Sequence, residues 1–428
     1  MQLSFISCLS PSQRTKNRTF QSFTLIELLV VIAILAILAV AVVLVLNPVE
    51  LIKESRDTTR IEDLTIINKA LSLIQVDQPN ASFGSSTTVY VSIPWTTTST
   101  NCSNLGLPTL PAGYAYGCAP TSTYQMTDGT GWIPVNFASF SAGAPFSKLP
   151  ADPTNTTSTG LYYTYIPGGS WEMTALMESQ KRKMGGDKDA TSQDGGQYPE
   201  MYETGSALKY TPITRDPTLV GYWSFEEGSG NATSTDYSGN NNNGTWYGTS
   251  THYGTGKVGS WAGSFNGSSD YVGVSTESDF DFVGSSFSLA GWVKTNTTST
   301  YQRLFNKYGA SYTYTTWITS NSGKLEFRWA TPTQNSVLST FGLSPNAWYH
   351  VVFVRNDSAN LNSIYINGSF NNSASYSGTV IENDEDFALG RTHEAGGVSY
   401  LNGYLDAARV YDRALSAAEI QALYNATR

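Results

Sequence analysis

The sequence predicts an α+β chain: a long N-terminal transmembrane and amphipathic helix, a small β head behind it, and an all-β sandwich in the C-terminal half. Three observations carry this. Residues 23–46, FTLIELLVVIAILAILAVAVVLVL, are apolar except for Glu27. Ile61, Leu64, Ile67, Leu71 and Ile74 then recur three or four residues apart, one stripe at helical period. Beyond that stripe the chain turns to aromatics, Thr, Gly and Asn, and charged residues make up only 14% of the whole. That mixture of strand formers and turn formers builds sheets.

At a rise of about 1.5 Å per residue the apolar run passes the roughly 30 Å hydrocarbon core of a bilayer. It is too long for the core of a secretory signal peptide. Arg14, Lys16 and Arg18 precede it, which holds the leader on the cytoplasmic side and sends everything after Leu46 outside. A carboxylate in hydrocarbon costs several kcal/mol unless it finds a partner or snorkels to the interface, so Glu27 is marked as a functional residue. Pro48 lacks a backbone donor and should kink or loosen the helix just outside the span. Residues 47–79 are its amphipathic continuation, with Arg60, Glu62, Asp63 and Lys69 off the apolar stripe.

The run Phe23-Thr24-Leu25-Ile26-Glu27-Leu28-Leu29 resembles the N-terminal processing and methylation motif of type IV pilins and type II secretion pseudopilins. The resemblance implies a leader, residues 1–22, cut by a prepilin peptidase between Ser22 and Phe23, and methylation of the new amine. It further implies that Glu27 pairs with the N-terminal amine of a neighbouring subunit during filament assembly. Ser22 stands where that family carries Gly. The implied partners are other pilin or pseudopilin subunits, with the bulk of the chain outside the cytoplasmic (inner) membrane and at the cell surface once assembled. A membrane-anchored surface protein that never assembles is the plainer alternative.

Cys8 lies in the leader, leaving Cys102 and Cys118 as an even pair in an exported chain. A disulfide between them would contribute roughly 3 kcal/mol in the chain-entropy model; two buried thiols are the alternative. The formal charge is −9, and loss of the leader removes three cations more. Nucleic acid is thereby excluded as a partner, since phosphate binding needs concentrated Lys and Arg.

Residues 80–214 form the head. Thr87–Val91, Leu161–Ile166 and Trp171–Leu176 read as short strands, and Leu149-Pro150-Ala151-Asp152-Pro153 resembles the segment opening the small sheet of pseudopilin heads. The acidic, Gly-rich stretch with Asp187, Asp189 and Asp194 lies where major pseudopilins bind calcium, but it lacks the alternating carboxylates of a calcium loop and reads as a solvated loop. Residues 215–218 close a Pro-containing linker.

Residues 219–428 are the second domain. Ser288, Ala290 and Trp292 alternate with Phe287, Leu289, Gly291 and Val293, the two-faced pattern of a sandwich strand, and Asn367-Gly368 signals a hairpin turn. Ser416 with Glu419 reads as a capped helix start. The words Gly221–Gly230, Asp236-Tyr237-Ser238-Gly239, Phe265–Val272, Trp348-Tyr349-His350, Ile364–Gly368 and Gly403–Ser416 resemble, in order, the laminin-G-like, concanavalin A-like jelly-roll family. That resemblance implies a lectin or adhesion module binding glycan or protein, with calcium as cofactor near Asp236 and Asp406. Trp246, Tyr247, Tyr253, Tyr308, Tyr312 and Tyr314 lie in loop-like, Asn/Gly/Thr-rich surroundings and are the ligand candidates. Trp223, Trp292 and Trp348 read as core, and His350 as a packing residue. Glycosidases on this fold carry Glu-x-Asp-x-x-Glu, because hydrolysis needs two carboxyls about 5 Å apart. Glu277–Asp281 and Glu382–Asp386 come nearest without completing it, so the chain reads as a binding protein and not an enzyme. A surface-displayed glycan hydrolase is the alternative.

Overall fold

A computed structural model of the chain describes residues 24–95, 102–141, 143–249, 251–308, 312–330, 334–377, 384–391 and 399–428. Ser22 and Phe23 lie outside the described residues. The chain divides into two compact units, residues 1–51 and 52–428.

In the first unit, α1 (Leu25–Leu46) starts from a capping box. The Thr24 amide and hydroxyl donate to Glu27 Oε2 at 2.9 and 2.8 Å, and the Glu27 amide donates back to Thr24 Oγ1 at 3.3 Å. Its side chains are described as far as Ala39, and among the described residues no helix is long and apolar enough to cross a membrane. The helix is also not continuous. Asn47 adopts the left-handed conformation at φ 38°, and α2 (Pro48–Asp77) begins afresh at the proline.

In the second unit, α2 packs its stripe against the head sheet: Leu64, Ile67, Leu71 and Ile74 are buried with Trp132, Tyr163, Trp171 and Met173. One charged residue departs from expectation. Arg60 lies four residues before Leu64, hence on the apolar face, and is fully buried. Its guanidinium donates twice to Asp152, at 2.7 and 2.9 Å, and at 2.8 Å to both Asp57 and Glu178. The sheet it faces holds β1 (Thr88–Val91), β2 (Ala115–Gly117), β3 (Thr164–Pro167), β4 (Trp171–Ala175) and β5 (Tyr202–Gly205), in the order β2-β1-β3-β4-β5. Cys102 and Cys118 are joined as a disulfide beside β2.

The sandwich runs through β6 (Leu219–Trp223), β7 (Thr233–Ser234), β8 (Gly244–Tyr247), β9 (Tyr253–Thr255), β10 (Trp261–Asn266), β11 (Tyr271–Val274), β12 (Phe287–Thr295) and β13 (Gln302–Tyr308). It continues through β14 (Tyr312–Ile318), β15 (Lys324–Ala330), β16 (Gln334–Gly342), β17 (Tyr349–Asn356), β18 (Leu361–Ile366), β19 (Ser369–Ser375), β20 (Phe387–Leu389) and β21 (Asn402–Tyr411). One eight-stranded sheet has the order β19-β18-β17-β12-β21-β10-β9, with β6 also on β21; the other has the order β16-β15-β14-β13-β20-β11-β8-β7. Asn367 and Gly368, at φ 51° and 77°, make the tight turn between β18 and β19. Phe287, Leu289 and Val293 point into the core between the sheets.

The opposite face of β12 is buried too. Ala290 and Trp292 join Tyr222, Val352, Ala407 and Tyr411 against head residues Leu161, Leu176, Tyr198 and Met201 and against α3 (Ala417–Thr427). Across this seam Glu200 Oε1 accepts from the Tyr411 hydroxyl at 2.6 Å and lies 3.2 Å from Arg409 Nε. The expected linker at 215–218 is no free tether, since Arg215 is buried and donates to the carbonyls of Gly160 and Tyr162 and to Thr174 Oγ1. Head and sandwich share a core.

Candidate functional site

The tyrosines and tryptophans expected in loops are sorted by strand alternation. In β8 the burial alternates, with Gly244 and Trp246 inward and Thr245 and Tyr247 outward. Trp246 faces Val272 across the ladder inside the core, so the next pair, Tyr247 and Tyr271, meets on the outer face. Their rings stack at 4.6 Å, 8° from parallel. Gly273 makes room for this, because a Cβ there would come within 3.1 Å of the Tyr247 ring. The Arg391 guanidinium sits 4.2 Å from the Tyr271 ring, and Tyr400 is tilted against Tyr271 at 6.5 Å. Tyr247 is 46% exposed while Tyr271, Arg391 and Tyr400 are half-buried, so Tyr247 is the ring this cluster presents to solvent. Sequence reading found Tyr247 but not Tyr271, Arg391 or Tyr400. Only the ladder register unites them.

Three ligand candidates are instead core. Trp246 is buried and its indole N–H donates to the Tyr253 hydroxyl at 3.1 Å, while Tyr253 is itself buried. Tyr314 is fully buried, with its hydroxyl on the Phe280 carbonyl at 3.1 Å. The physical reason is period-two alternation on strands that a Gly- and Thr-rich composition disguises as loop. The side chains of Tyr308 and Tyr312 lie outside the described residues.

The calcium candidates do not fit a cation. The Asp236 carboxylate accepts from the amides of Tyr222, Ser238 and Asn242 and from the Ser238 hydroxyl. Asp406 Oδ2 accepts from the Lys257 and Val258 amides, and its Oδ1 is buried without a hydrogen-bond partner and without two further ligating side chains beside it among the described residues. Oxygens aimed at N–H donors brace turns, whereas a calcium site presents oxygens to a common centre. Among the described residues no cluster of three metal-ligating side chains occurs. The acidic head loop is likewise pinned rather than solvated: Asp189 accepts from the amides of Gly185, Thr191 and Ser192. Of the carboxylates nearest a catalytic pattern, Glu277 and Asp281 both grip the fully buried Lys307, at 2.7 and 2.6 Å. His350 is buried between Trp292 and Tyr424, and burial pushes its pKa down to about 3.

Burial pushes the Asp406 carboxyl up to about 7, against the lowering pull of its two amide donors, and Asp194 up to about 7 as well. Both therefore hold protons when folded that the unfolded carboxyl releases near pH 4. Their contribution to stability is complete below about pH 4 and is lost as pH rises through about 7. Thermal melts should thus give a higher midpoint at about pH 5 than at about pH 8, and Asp406→Asn should flatten that difference. A midpoint rising across that interval in the native chain and unchanged by the substitution would contradict the assignment.

Residues 17–43 match the prokaryotic N-terminal methylation motif, and residues 266–421 match the concanavalin A-like lectin/glucanases superfamily. No curated protein matches the chain. Among solved structures, the binding domain of Paraclostridial Mosquitocidal Protein 1 is similar at 18% identity and a TM-score of 0.41, over 49% of this chain and 52% of that one. Domain 4 of AbnA, a GH43 extracellular arabinanase from Geobacillus stearothermophilus solved with arabinotriose, is similar at 21% identity and a TM-score of 0.39, over 49% and 98%. The receptor binding domain of a botulinum neurotoxin C/D mosaic serotype is similar at 14% identity and a TM-score of 0.39. The chain spans about half the length of the first and third of these. It joins a prokaryotic N-terminal methylation motif to a concanavalin A-like domain.

Proposed function

We propose that this is a minor pilin or pseudopilin-like surface protein whose N-terminal helix, anchored in the cytoplasmic membrane through residues 23–46, packs into a filament. Its sandwich displays a glycan-binding face. The observation that supports this most is the exposed Tyr247 ring, held by its stack on Tyr271 beside Arg391, on a domain fused behind a prepilin-type motif. Stacked aromatic faces meet the apolar faces of sugar rings, and a guanidinium donates to their hydroxyls. Head and sandwich share a core and α2 packs under the head, so a load on the bound face passes into α2. The tethering of Glu277 and Asp281 by Lys307 favours binding over hydrolysis, and no calcium is invoked.

A glycan array probed with the full chain tests this. The native chain should retain a defined set of glycans, and the Tyr247→Ala/Tyr271→Ala double variant should lose roughly 30-fold in affinity, the equivalent of about 2 kcal/mol for truncated interface aromatics. Undiminished glycan binding by a folded double variant would move the site elsewhere.

A further inference from the structure

A cleft of about 1030 Å³ opens between head and sandwich, at the upper end of the roughly 300–1,000 Å³ range of ligand pockets. Tyr114 and Tyr210 line it from the head, and Tyr237, Thr235 and Asn243 from the sandwich. It lies on the seam and does not include the Tyr247–Tyr271 platform.

The walls are braced. The Thr109 amide donates to the Gly239 carbonyl at 3.1 Å and the Thr214 amide to the Tyr237 carbonyl at 2.9 Å, so hydrogen bonds cross from head to sandwich beside the cleft. On the head side, the buried Glu172 carboxylate takes the Tyr210 amide at 2.5 Å and the Thr211 amide at 2.9 Å, which fixes that strap. A cleft held open by the fold takes a ligand without first ordering its walls.

Its chemistry is that of tyrosine rings and small neutral polar groups. Tyr114 is 38% exposed, Tyr210 and Tyr237 are half-buried, and Tyr237 leans on Tyr222 at 6.2 Å. The two carboxylates in the lining are already engaged: Glu226 accepts the amides of Ser260 and Trp261, and Asp236 those of its own turn. Lys209 at the rim is an exposed point charge, and no second cation joins it in the described lining, so no anionic polymer is selected. Exposed ring faces flanked by hydroxyls and amides match a neutral polyhydroxylated ligand with alternating apolar and hydrogen-bonding surfaces.

We propose that the head–sandwich cleft is a second binding site, taking a short neutral oligosaccharide of pyranose units across Tyr114, Tyr210 and Tyr237. It is independent of the outer platform.

The test is calorimetric titration of the full chain in detergent micelles with maltotriose, cellotriose and chitotriose. One of these should bind, and both Tyr114→Ala and Tyr237→Ala should weaken it by about tenfold or more, with melting midpoints recorded as the check on folding. Tyr237→Phe, which keeps the ring, should bind as the native chain does. The Tyr247→Ala/Tyr271→Ala variant should leave this binding unchanged, which separates the cleft from the outer platform. Loss of binding in that variant, with none in the Tyr114 and Tyr237 variants, would overturn the cleft and leave the platform standing. Absence of binding by all three saccharides at millimolar concentration, or displacement of a bound saccharide without effect of any cleft substitution, would also overturn it.

Discussion

Arg60→Ala should unfold the head or bring it close to unfolding. The guanidinium is fully buried and is the shared partner of Asp57, Asp152 and Glu178. Removing it leaves the buried Asp57 and Asp152 carboxylates without their cation, while Glu178 keeps Arg56. Breaking a buried pair from one side costs about 3–5 kcal/mol, set against a typical domain stability of about 5–15 kcal/mol. Asp152 also caps the amides of Thr154 and Asn155, and Asp57 those of Glu178 and Ser179, so the damage spreads to both segments that meet α2. Denaturant unfolding of the two chains measures the difference. The threefold variant Arg60→Met, Asp57→Asn, Asp152→Asn, with Glu178 kept on Arg56 at 2.6 Å, should recover much of the loss, because it leaves no charge unpaired. An Arg60→Ala chain within about 0.5 kcal/mol of native, the ordinary range for surface substitutions, would show that the network holds nothing.

On the proposed filament role, Glu27→Gln should cut filament incorporation by about 100-fold while α1 still forms. In the isolated chain Glu27 closes the capping box with Thr24, a role that an amide oxygen also fills. The proposed pairing with the amine of an adjacent subunit needs the charge. A cation left unanswered in hydrocarbon costs roughly 2.5–3.5 kcal/mol, so incorporation should fall by about 100-fold. Immunoblots of sheared filaments measure it, and circular dichroism of the purified chain confirms the helix. Glu27→Ala should fail in the same assay and lose the cap besides. Native incorporation of the glutamine variant would reduce Glu27 to a helix cap and favour a surface protein that does not polymerise.

Residue spacing made much of this legible. The stripe from Leu64 to Ile74 is buried where its period put it, the Asn367-Gly368 turn joins two strands, and Ser416 with Glu419 caps α3. Spacing was misleading where it was applied to apolar residues alone. Arg60 shares the face of Leu64, and its charge concealed that. Trp246 and Tyr314 resembled loop aromatics because Thr, Asn and Gly surround them, yet each occupies an inward strand position. The cleft could not be anticipated, since its residues come from segments as distant as Tyr114 and Tyr237.

Local order belongs to the sequence by itself: where helices start, which residues alternate along a strand, where a turn needs positive φ, and that a lone acid interrupts an apolar run. These follow from neighbours within a few positions, and neighbours are what a sequence records. Only the tertiary structure decided that the second face of β12 is buried beneath the head, that Arg409 meets Glu200, and that Tyr247 stacks on Tyr271. Burial and ladder register depend on which distant surfaces exclude water together, and no local pattern specifies that.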